Sequence, residues 1–429
     1  MAQSSKTVTI TSLAYGGDAV GHIDSKVIFV PHAVPGDELR VKITKDKASF
    51  MHGEIEEIIS PSPHRVEPFC PLALRCGGCQ WQAVDYTEQL KWKQTIVKES
   101  LRRISDIGSV EVEPCIPSTS DRGYRTVARY PVQVKSKGIE LGYYERKSHT
   151  ITPLTNCPVA ADKVNELTSY LLDLFAEITP ELDITEITLE ASINMPSAIV
   201  GITTKKMHDL SGAVEIMLSD IPWLDGVVHH NGHSNKKNFY GKKERFESVG
   251  DKSFRISESS FFQINVGQTE KLVNVVKEML EIGEKDVVVD GFGGVGLFSL
   301  TAAPKDTVIH LYDSSRSAVK DSTRNAKNMG FTKFKAYKAD TAGALELIGH
   351  ADILILDPPR LGLGPETVKT ACDFGARTIV YISCNPTTLA RDLKSFISDG
   401  YKVERVVPVD MFPHTYHIET AVKLVKKGV

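Results

Sequence analysis

Short apolar runs alternate with longer helical segments in the last third of the chain, and this alternation limits the fold more than any other sequence feature. The runs are VVVDGFGGVGLFSL (287–300), VIHLYD (308–313), KFKAYKAD (333–340), ADILILDPPR (351–360), TIVYIS (378–383), ERVVPVDMF (404–412) and ETAVKLVK (419–426). Apolar strands separated by helices are typical of a mostly parallel sheet with helices on both faces. The pattern predicts a doubly wound α/β domain, whose ligands bind at the carboxyl ends of the strands.

The first 60 residues follow a different pattern, in which short strand-like runs are separated by tight turns. The turns are marked by GG (16–17), PGD (35–37) and KDK (45–47). Several short β-rich runs with Gly and Pro between them are typical of a small barrel. We therefore expect a small antiparallel β-barrel at the N-terminus.

The middle of the chain mixes helix and strand patterns. Prolines at positions 61, 63 and 68 follow the barrel, a helical stretch runs from Glu88 to Ile104, and strand-like runs follow, such as VARYPVQVKS (127–136). This mixture indicates an α+β unit. We divide the chain into residues 1–60, 61–260 and 261–429, which are the barrel, the central domain and the α/β domain.

The composition is that of a globular protein and argues against a membrane-spanning or secreted one. The 429 residues are 41% hydrophobic and 24% charged, as in ordinary globular proteins. No apolar run reaches the roughly 18 residues that span a bilayer, and the first residues do not resemble a signal peptide. We expect a cytoplasmic protein with no membrane partner, and a monomer by default.

Charge gives little direct evidence for a nucleic-acid partner. The net charge is −3, so the whole chain has no global attraction to a polyanion. One basic cluster stands out near position 240 and consists of Lys236, Lys237, Lys242, Lys243 and Arg245. Judged by charge alone, such a run is interpreted as a solvated surface.

The spacing of the seven cysteines is more informative than their number. Cys70, Cys76 and Cys79 form C-x5-C-x2-C, and Cys157 follows far downstream beside a proline. Four thiolates suit either a [4Fe–4S] cluster or tetrahedral zinc, and the spacing leaves that choice open. The glycine pair at 77–78 favours a tight loop that aims the sulfurs at one centre. Cys115 and Cys372 have no visible partners in the sequence and are interpreted as structural.

A glycine-rich turn points to a nucleotide cofactor. The sequence DGFGGVG (290–296) ends one strand-like run and opens a helix, where backbone amides can approach a ligand closely. Asp313 ends the next run, at a position where a carboxylate can bind ribose hydroxyls. These features suit S-adenosylmethionine (SAM) and a dinucleotide equally. The tetrad DPPR (357–360) at another strand end favours SAM.

Two further segments carry reactive side chains toward the same edge. Cys384 follows the run TIVYIS, and the segment FPHTYHIE (412–419) supplies three candidate bases. A thiol at such a position can act as a nucleophile, and either histidine or the glutamate can accept a proton. Position alone does not distinguish His414, His417 and Glu419.

Taken together, FFQIN (261–265), DGFGGVG, LDPPR, SCNPTTLARDL (383–393) and FPHTYHIE resemble the motif series of the SAM-dependent RNA uracil-5-methyltransferases. The resemblance extends over nearly the whole chain. The N-terminal barrel resembles a TRAM domain, an OB-like RNA-binding module of the branch that modifies 23S rRNA. The four spaced cysteines are similar to the [4Fe–4S] site of that branch, which implies iron–sulfur rather than zinc.

The resemblance implies a Rossmann-like methyltransferase domain and a role for each motif residue. Cys384 would add to C6 of uracil, which activates C5 for methylation, and Glu419 would remove the C5 proton. The cofactor-binding residues would be Gln263, Phe292, Asp313, Asp340 and Asp357, and the cluster ligands Cys70, Cys76, Cys79 and Cys157. The segment YRTVARYP (124–131) resembles the RNA-contacting part of the family, so Arg125 and Arg129 are candidates for phosphate contact.

Two positions depart from the glycine loop of the family, which commonly reads F-C-G-x-G-N-F. Gly293 stands where a cysteine is usual, and Leu297 where an asparagine would contact SAM. The loss of one hydrogen bond costs on the order of 1 kcal/mol, which does not abolish binding. We therefore expect an active enzyme that binds SAM and RNA.

Three other functions compete with the methylation of 23S rRNA. Within the family, the chain could modify a uracil in the T-loop of tRNA. In another class, it could be a non-catalytic RNA-binding assembly factor, but the nucleophile and base positions are both filled. An NAD-dependent oxidoreductase would share only the glycine loop and Asp313.

Overall fold

In the computed structural model, which describes residues 5–105, 110–178, 182–234, 236–348 and 350–428, the chain begins with a closed five-stranded barrel. Its strands are β1 (Ser5–Leu13), β2 (Ala19–Ile23), β3 (Lys26–Val30), β4 (Glu38–Asp46) and β5 (Phe50–Ser60). Neighbouring strands run in the order β1-β2-β3-β5-β4 around the barrel. The expected barrel is present, although β3 and β5 pair in parallel, so the barrel is not purely antiparallel.

The central part contains a mixed sheet with helices beside it. After α1 (Tyr86–Ser100) and a π-helical turn (Leu101–Ser105) come β6 (Val127–Val134), β7 (Ile139–Tyr144), β8 (Ile151–Pro153), α2 (Asp162–Ile178), β9 (Ile184–Ala191), β10 (Ala198–Thr204), α3 (Ser211–Asp220), β11 (Leu224–Asn231) and β12 (Lys237–Gly241). The seven strands are ordered β12-β11-β10-β9-β6-β7-β8. A separate hairpin, β13 (Glu244–Val249) and β14 (Lys252–Ser257), leads to the last part of the chain.

The last part is a second seven-stranded sheet in the order β17-β16-β15-β18-β19-β21-β20. Its elements are α4 (Val266–Leu280), β15 (Val287–Gly291), α5 (Leu297–Ala302), β16 (Val308–Asp313), α6 (Arg316–Asn328), β17 (Phe334–Lys338), α7 (Thr341–Ile348), β18 (Ile353–Leu356), α8 (Gly364–Phe374), β19 (Thr378–Ser383), α9 (Pro386–Ser398), β20 (Tyr401–Val409) and β21 (Glu419–Lys426). The first five strands are parallel, and β21 runs antiparallel between β19 and β20. This is the predicted doubly wound sheet with an antiparallel end.

The barrel, α1 and one face of the last sheet share a continuous apolar core, in which Ile28, Trp81 and Leu354 are all buried. A fully buried ion pair joins α1 to the loop after β20, because Lys93 Nζ lies 2.6 Å from the Asp410 carboxylate. Removing either partner would leave a buried charge, which costs about 3–5 kcal/mol. The ion pair therefore fixes α1 to the sheet that carries the predicted site, and the barrel packs on both through the shared apolar core. In the described part of the chain, no helix has the length and apolar content required to cross a bilayer.

Candidate active site

The register of two antiparallel strands brings the predicted nucleophile and base together. In the pairing of β19 with β21, Ile382 lies opposite Ala421 and Ser383 opposite Thr420. Cys384 and Glu419 are the next residues beyond this last pair, and the Glu419 carboxylate is close enough to Cys384 to raise the pKa of its thiol. Residues that face each other across antiparallel strands have Cα atoms about 4.5–5.5 Å apart and point to the same side. Glu419 is buried, whereas the Cys384 side chain is half-buried at the strand end.

Two aspartates lie at the neighbouring strand ends. Asp357 follows β18, and Asp290 is fully buried near the end of β15, which pairs with β18. Burial raises the pKa of the Asp290 carboxyl to about 7, and the nearby Asp313 carboxylate adds to this effect. Burial also raises the pKa of the Asp357 carboxyl to about 7, and here the Asp290 carboxylate adds to the effect. Burial together with Asp357 raises the pKa of Glu419 well above its usual range. The strand edge therefore holds carboxyl groups that exchange protons near neutral pH.

The environment of the Cys384 thiol opposes ionisation. Burial, with the Glu419 and Asp357 carboxylates adding to it, raises the pKa of Cys384 to about 11. The exposed guanidinium of Arg360, the last residue of the DPPR tetrad, acts in the opposite direction. The free thiol is thus mostly neutral at pH 7, and Arg360 is the cation that favours its thiolate form.

A tyrosine from the N-terminal barrel reaches this site. The Tyr15 hydroxyl donates a hydrogen bond to the backbone carbonyl of Cys384 at 3.3 Å. Its ring packs edge-on against Tyr416, with ring centroids 5.4 Å apart. Burial raises the pKa of Tyr15 to about 12, so this hydroxyl stays protonated at neutral pH. The barrel therefore supplies one contact to the residue predicted as nucleophile.

The loop FPHTYHIE separates the three candidate bases. The ring of His414 is buried, with Nδ1 3.1 Å from the Gln89 amide nitrogen and Nε2 3.2 Å from the Asp121 carboxylate. Burial, and then the positive charge of Arg360, lowers the pKa of His417 to about 3. His414 is occupied by structural contacts and His417 is a weak base, which leaves Glu419 as the group suited to accept a proton.

The glycine loop forms a cradle at the ends of β15 and β16. The Gly294 amide donates to the Asp313 carboxylate at 3.0 Å, and the Gly293 amide donates to the Tyr312 carbonyl at 3.0 Å. Phe292 has a φ of 60°, an uncommon value for a residue with a side chain. The loop thus keeps backbone amides at the start of α5, as expected for a nucleotide site.

The two departures from the family loop have structural explanations. A Cβ atom at Gly293 would lie 2.5 Å from Cγ of Leu311, so a side chain there requires Leu311 to move. Leu297 is buried in the apolar core beneath the loop and is the first residue of α5. With these neighbours, glycine and leucine are the residues that pack.

The remaining predicted cofactor residues differ in exposure. Asp340, exposed after β17, accepts a hydrogen bond from the Gly343 amide at 2.9 Å and so caps α7. Gln263, in the segment before α4, is buried, and its amide has no hydrogen-bond partner among the described residues. An amide without a protein partner is available to a ligand.

All four spaced cysteines line one cavity in the central part of the molecule, together with Leu72, Tyr143 and Leu154. Burial raises the pKa values of Cys76, Cys79 and Cys157, that of Cys79 to about 12. Within the described ranges, no group of three or more Cys, His, Asp or Glu side chains is arranged to hold a single metal ion. The cysteines are thus brought to one cavity, without the close approach that one ion requires.

Arg125 lies at this cysteine cavity and not on an open surface. Its guanidinium is 5.7 Å from the Tyr143 ring centroid, and its buried Nε has no hydrogen-bond partner among the described residues. The other candidate for phosphate contact, Arg129, is exposed and lies 3.4 Å from the Glu186 carboxylate. The sequence pattern did not distinguish these two environments.

Sequence reasoning did not identify Asp290, Arg360 or Tyr15 as members of the site. Asp290 and Arg360 stand inside motifs that were recognised, and their positions at strand ends were the available signal. Tyr15 had no comparable signal, because it lies 369 residues before Cys384 and meets it only through the packing of the barrel.

Comparison with known proteins finds matches over most of the chain. A family model described as TRAM domain matches residues 3–55, and one described as tRNA (Uracil-5-)-methyltransferase matches residues 344–427. An uncharacterized RNA methyltransferase of Bacillus cereus is 31% identical, over 98% of this chain and 96% of its own length. One of Gloeobacter violaceus is 33% identical, over 97% and 96%.

A solved structure is similar over the whole length. The tRNA (uracil-54, C5)-methyltransferase of Pyrococcus abyssi, in complex with S-adenosyl-L-homocysteine, covers 98% of this chain and 100% of its own, with a TM-score of 0.77 and 27% identity. Fold, strand-end site and relatives together define a SAM-dependent RNA methyltransferase. The chain belongs to the RNA uracil-5-methyltransferase family.

Proposed function

We propose that the protein forms 5-methyluridine in 23S rRNA through a covalent adduct between Cys384 and C6 of the target uracil. The observation that carries this proposal is the pairing of β19 with β21, which brings the Glu419 carboxylate close enough to Cys384 to raise the pKa of its thiol. The DPPR tetrad at the end of β18 adds Asp357 and Arg360 to the same edge. A nucleophile, a proton acceptor and a cation thus lie close together at one edge of the sheet.

The residues support a balanced reaction. C5 of uracil is a weak nucleophile, and addition of the Cys384 thiolate at C6 converts it into an enolate carbon. SAM, when bound, supplies the methyl group that C5 takes. Glu419 then removes the C5 proton, the S–C6 bond breaks, and the Cys384 thiolate is released for the next cycle.

The surroundings of Glu419 suit the proton transfer. Its carboxyl is buried, and burial together with Asp357 raises its pKa, so the carboxylate form is a stronger base than an exposed glutamate. Asp357, whose pKa is raised to about 7, is suited to hold the uracil edge or the amine of SAM. The chain therefore provides separate groups for binding and for proton removal.

The SAM site is proposed at the ends of β15 to β17. Asp313 would bind the ribose hydroxyls, since each carboxylate oxygen can accept a hydrogen bond beyond those from Gly294 and Ser315. Phe292 and Asp340 lie at the adjacent strand ends. The side-chain amide of Gln263, in the FFQIN segment, has no hydrogen-bond partner among the described residues, and this supports a contact with the cofactor.

We further propose that Cys70, Cys76, Cys79 and Cys157 hold a [4Fe–4S] cluster. Two observations support it: the four side chains line one cavity, and the guanidinium of Arg125 lies beside them with an unpartnered buried Nε. A cluster is larger than one ion, so its ligands need not approach one another as closely. Its proposed role is to stabilise the central domain, because metal binding contributes folding free energy.

The most specific part of the proposal is that the substrate is rRNA and not tRNA. The TRAM-like barrel and the four cysteines support 23S rRNA, by the resemblance given above. The likeness to the tRNA (uracil-54, C5)-methyltransferase of Pyrococcus abyssi favours tRNA as the second candidate. In either RNA the target base must leave its stack to reach a strand-edge pocket.

Methyl transfer from labelled SAM to total RNA of a strain that lacks this gene tests the proposal, with the product mapped by mass spectrometry. We expect 5-methyluridine at one position of 23S rRNA. Label in tRNA would keep the chemistry and overturn the substrate. No label in either RNA, with SAM binding intact by calorimetry, would favour a non-catalytic assembly factor.

The variant E419Q tests the covalent step. Methyl transfer can occur without the final proton removal, so this variant should accumulate a protein–RNA adduct that survives denaturing electrophoresis. The double variant C384A/E419Q is the matched control and should form none. Normal turnover by E419Q would contradict the assignment of Glu419 as the base.

A further inference from the structure

A groove rich in cations lies between the central part of the molecule and helix α6. Its walls are formed by Lys237, Phe239 and Lys243 on one side and by Arg316, Lys320 and Arg324 on the other, with Arg255, Ser257 and Glu258 between them. These residues include six cations and a single carboxylate. Lys237 pairs with Glu258, and Arg255 pairs with Glu244 and Asp321, which leaves four cations unpaired. The groove is therefore electropositive, although the whole chain carries a net charge of −3.

The groove changes the interpretation of the basic cluster near position 240. Of that cluster, Arg245 is buried against Glu190, and Lys242 lies 2.7 Å from Asp225. Lys243 is exposed, and its ammonium lies 4.6 Å from the centroid of the Phe239 ring. The sequence cluster thus divides into structural ion pairs and a smaller set that faces the groove.

Helix α6 supplies the opposite wall as a stripe. Arg316, Lys320 and Arg324 recur every four residues and are all exposed. Neither these three cations nor Lys243 makes an ion pair with any residue that the structure describes. Like charges four residues apart on a helix repel each other. A polyanion in the groove would remove that repulsion.

The walls are held in fixed positions. The buried Asp321 of α6 accepts hydrogen bonds from the Ser257 amide at 2.8 Å and from the Ser260 hydroxyl at 2.7 Å, and it pairs with Arg255. The Asn325 side chain accepts from the Arg255 amide at 2.8 Å. The groove is therefore formed before any ligand arrives, which lowers the cost of binding.

Both walls lead back to the proposed SAM site. Arg316 follows Asp313 by three residues, and Asp313 holds the glycine loop. On the other wall, Ser259 is two residues before Phe261, whose ring is 70% exposed, and four before Gln263. A single strand of RNA that leaves the active site past Phe261 would therefore reach the groove next.

We infer that this groove binds a single-stranded segment of the substrate RNA next to the target uridine. Its cations match a phosphate backbone, and Phe239, which is 38% exposed, offers a ring on which a base can stack. The inference rests on the proposed RNA substrate. It assigns a second contact region, outside the barrel and the strand-edge site, that would extend the RNA footprint along α6.

The test compares K243A/K320A/R324A with the wild type and with the matched variant K369A/K394A/K402A. The first removes three unpaired cations from both walls of the groove. The second removes three exposed lysines from α8, α9 and β20, so its net charge is the same. The probe is a fluorescein-labelled single-stranded RNA of 30 nucleotides, and its anisotropy is followed at several KCl concentrations.

The groove variant should lose tenfold or more in affinity, and the slope of log K against log[KCl] should fall by about 2, since each phosphate contact contributes about 0.7 for a single strand. The control variant K369A/K394A/K402A should match the wild type in RNA affinity and in the slope of log K against log[KCl]. Retained SAM binding, measured by calorimetry, would show that the groove variant is folded.

Wild-type affinity and slope in the groove variant would overturn the inference, as would equal losses in both triple variants. Loss of binding to phosphatidylserine vesicles, with RNA binding unchanged, would assign the groove to a lipid surface instead and would also overturn it. A wild type that binds the RNA probe but methylates no RNA would contradict the proposed function and leave the groove assignment standing. A separate variant, F239A, should lose about tenfold in affinity with the slope unchanged.

Discussion

Two regions of the molecule contain the cysteines to which we assign a function, the edge of the last sheet and the cavity in its central part. In both, burial is the main reason why the thiol pKa is raised, to about 11 for Cys384 and about 12 for Cys79. The raised thiol pKa alone therefore does not distinguish the two regions. Their neighbours do.

At the sheet edge, one thiol lies among groups that gain and lose protons. The Glu419 and Asp357 carboxylates lie near enough to raise the pKa of Cys384, and Arg360 favours the thiolate. In the central cavity, four thiols share an otherwise mostly apolar lining with a single guanidinium, that of Arg125. The first arrangement suits reversible attack on a substrate, and the second suits permanent ligation by several sulfurs.

The largest effect expected from this comparison is the loss of methylation in C384A. Removing a nucleophile should lower the rate of methyl transfer on the order of 10⁴-fold or more, because no other thiol lies among the described residues at this edge. SAM binding should persist. The measurement is single-turnover transfer of labelled methyl groups to RNA.

The matched control is C372A, which removes a buried thiol from α8. This variant should methylate RNA at close to the wild-type rate. Normal turnover by C384A would exclude the covalent mechanism.

The next largest effect is expected in the cavity lined by four cysteines, where a substitution should lower the iron content of the protein. In C157S, anaerobically purified protein should contain much less than the four irons per chain of a complete cluster, and its broad visible absorbance should fall. The melting temperature should fall by several degrees, because cluster binding contributes folding free energy. Iron analysis and thermal unfolding check this together.

Cys115 provides the control for that experiment, since it is buried but does not line the four-cysteine cavity. The variant C115A should retain the iron. A colourless, iron-free wild type would reject the cluster assignment before any variant is compared.

A smaller effect follows from the charge of Arg360. The guanidinium lowers the pKa of Cys384, so R360Q should raise that pKa and reduce the thiolate fraction at pH 8. Below the thiol pKa, thiolate falls tenfold for each unit that the pKa rises. Because Arg360 is exposed and screened by solvent, we expect alkylation of Cys384 by iodoacetamide to slow only about two- to fivefold.

Mass spectrometry of the Cys384 peptide, over the range pH 7 to 10, measures this rate. The variant K394Q, which removes an exposed charge from α9, should leave the rate unchanged. Faster alkylation in R360Q would contradict the proposed direction.

The comparison also shows what the sequence could predict. The strand ends that carry DGFGGVG, DPPR and SCNP were predicted as one edge because parallel strands place their carboxyl ends together, and the structure has them in one sheet. The antiparallel insertion of β21 between β19 and β20 was not predicted. It depends on pairing between distant segments, which periodicity does not report.

Environment was harder to predict than position. Arg125 and Arg129 are four residues apart in one motif, yet one lies at the cysteine cavity and the other in a surface ion pair. The basic cluster near position 240 was interpreted as solvated surface, but Arg245 is 1% exposed. In each case the deciding neighbours come from other segments of the chain, so the local pattern contained no signal.

The smallest effect tests whether the barrel acts in the sheet-edge site. The Tyr15 hydroxyl, whose pKa is raised to about 12, donates to the Cys384 carbonyl and fixes the backbone of the nucleophile. Removing one such hydrogen bond costs about 0.5–1.5 kcal/mol, so Y15F should slow adduct formation by less than about tenfold. SAM affinity should stay the same.

Adduct formation is followed in the E419Q background, where the covalent complex accumulates and its rate can be read from denaturing gels. Y144F, which alters an exposed tyrosine near the central cavity, should leave that rate unchanged. Equal rates in Y15F and the parent would mean that the barrel contributes RNA binding alone. A slower rate would mean that the sheet-edge thiol depends on a residue from the N-terminal barrel for its position.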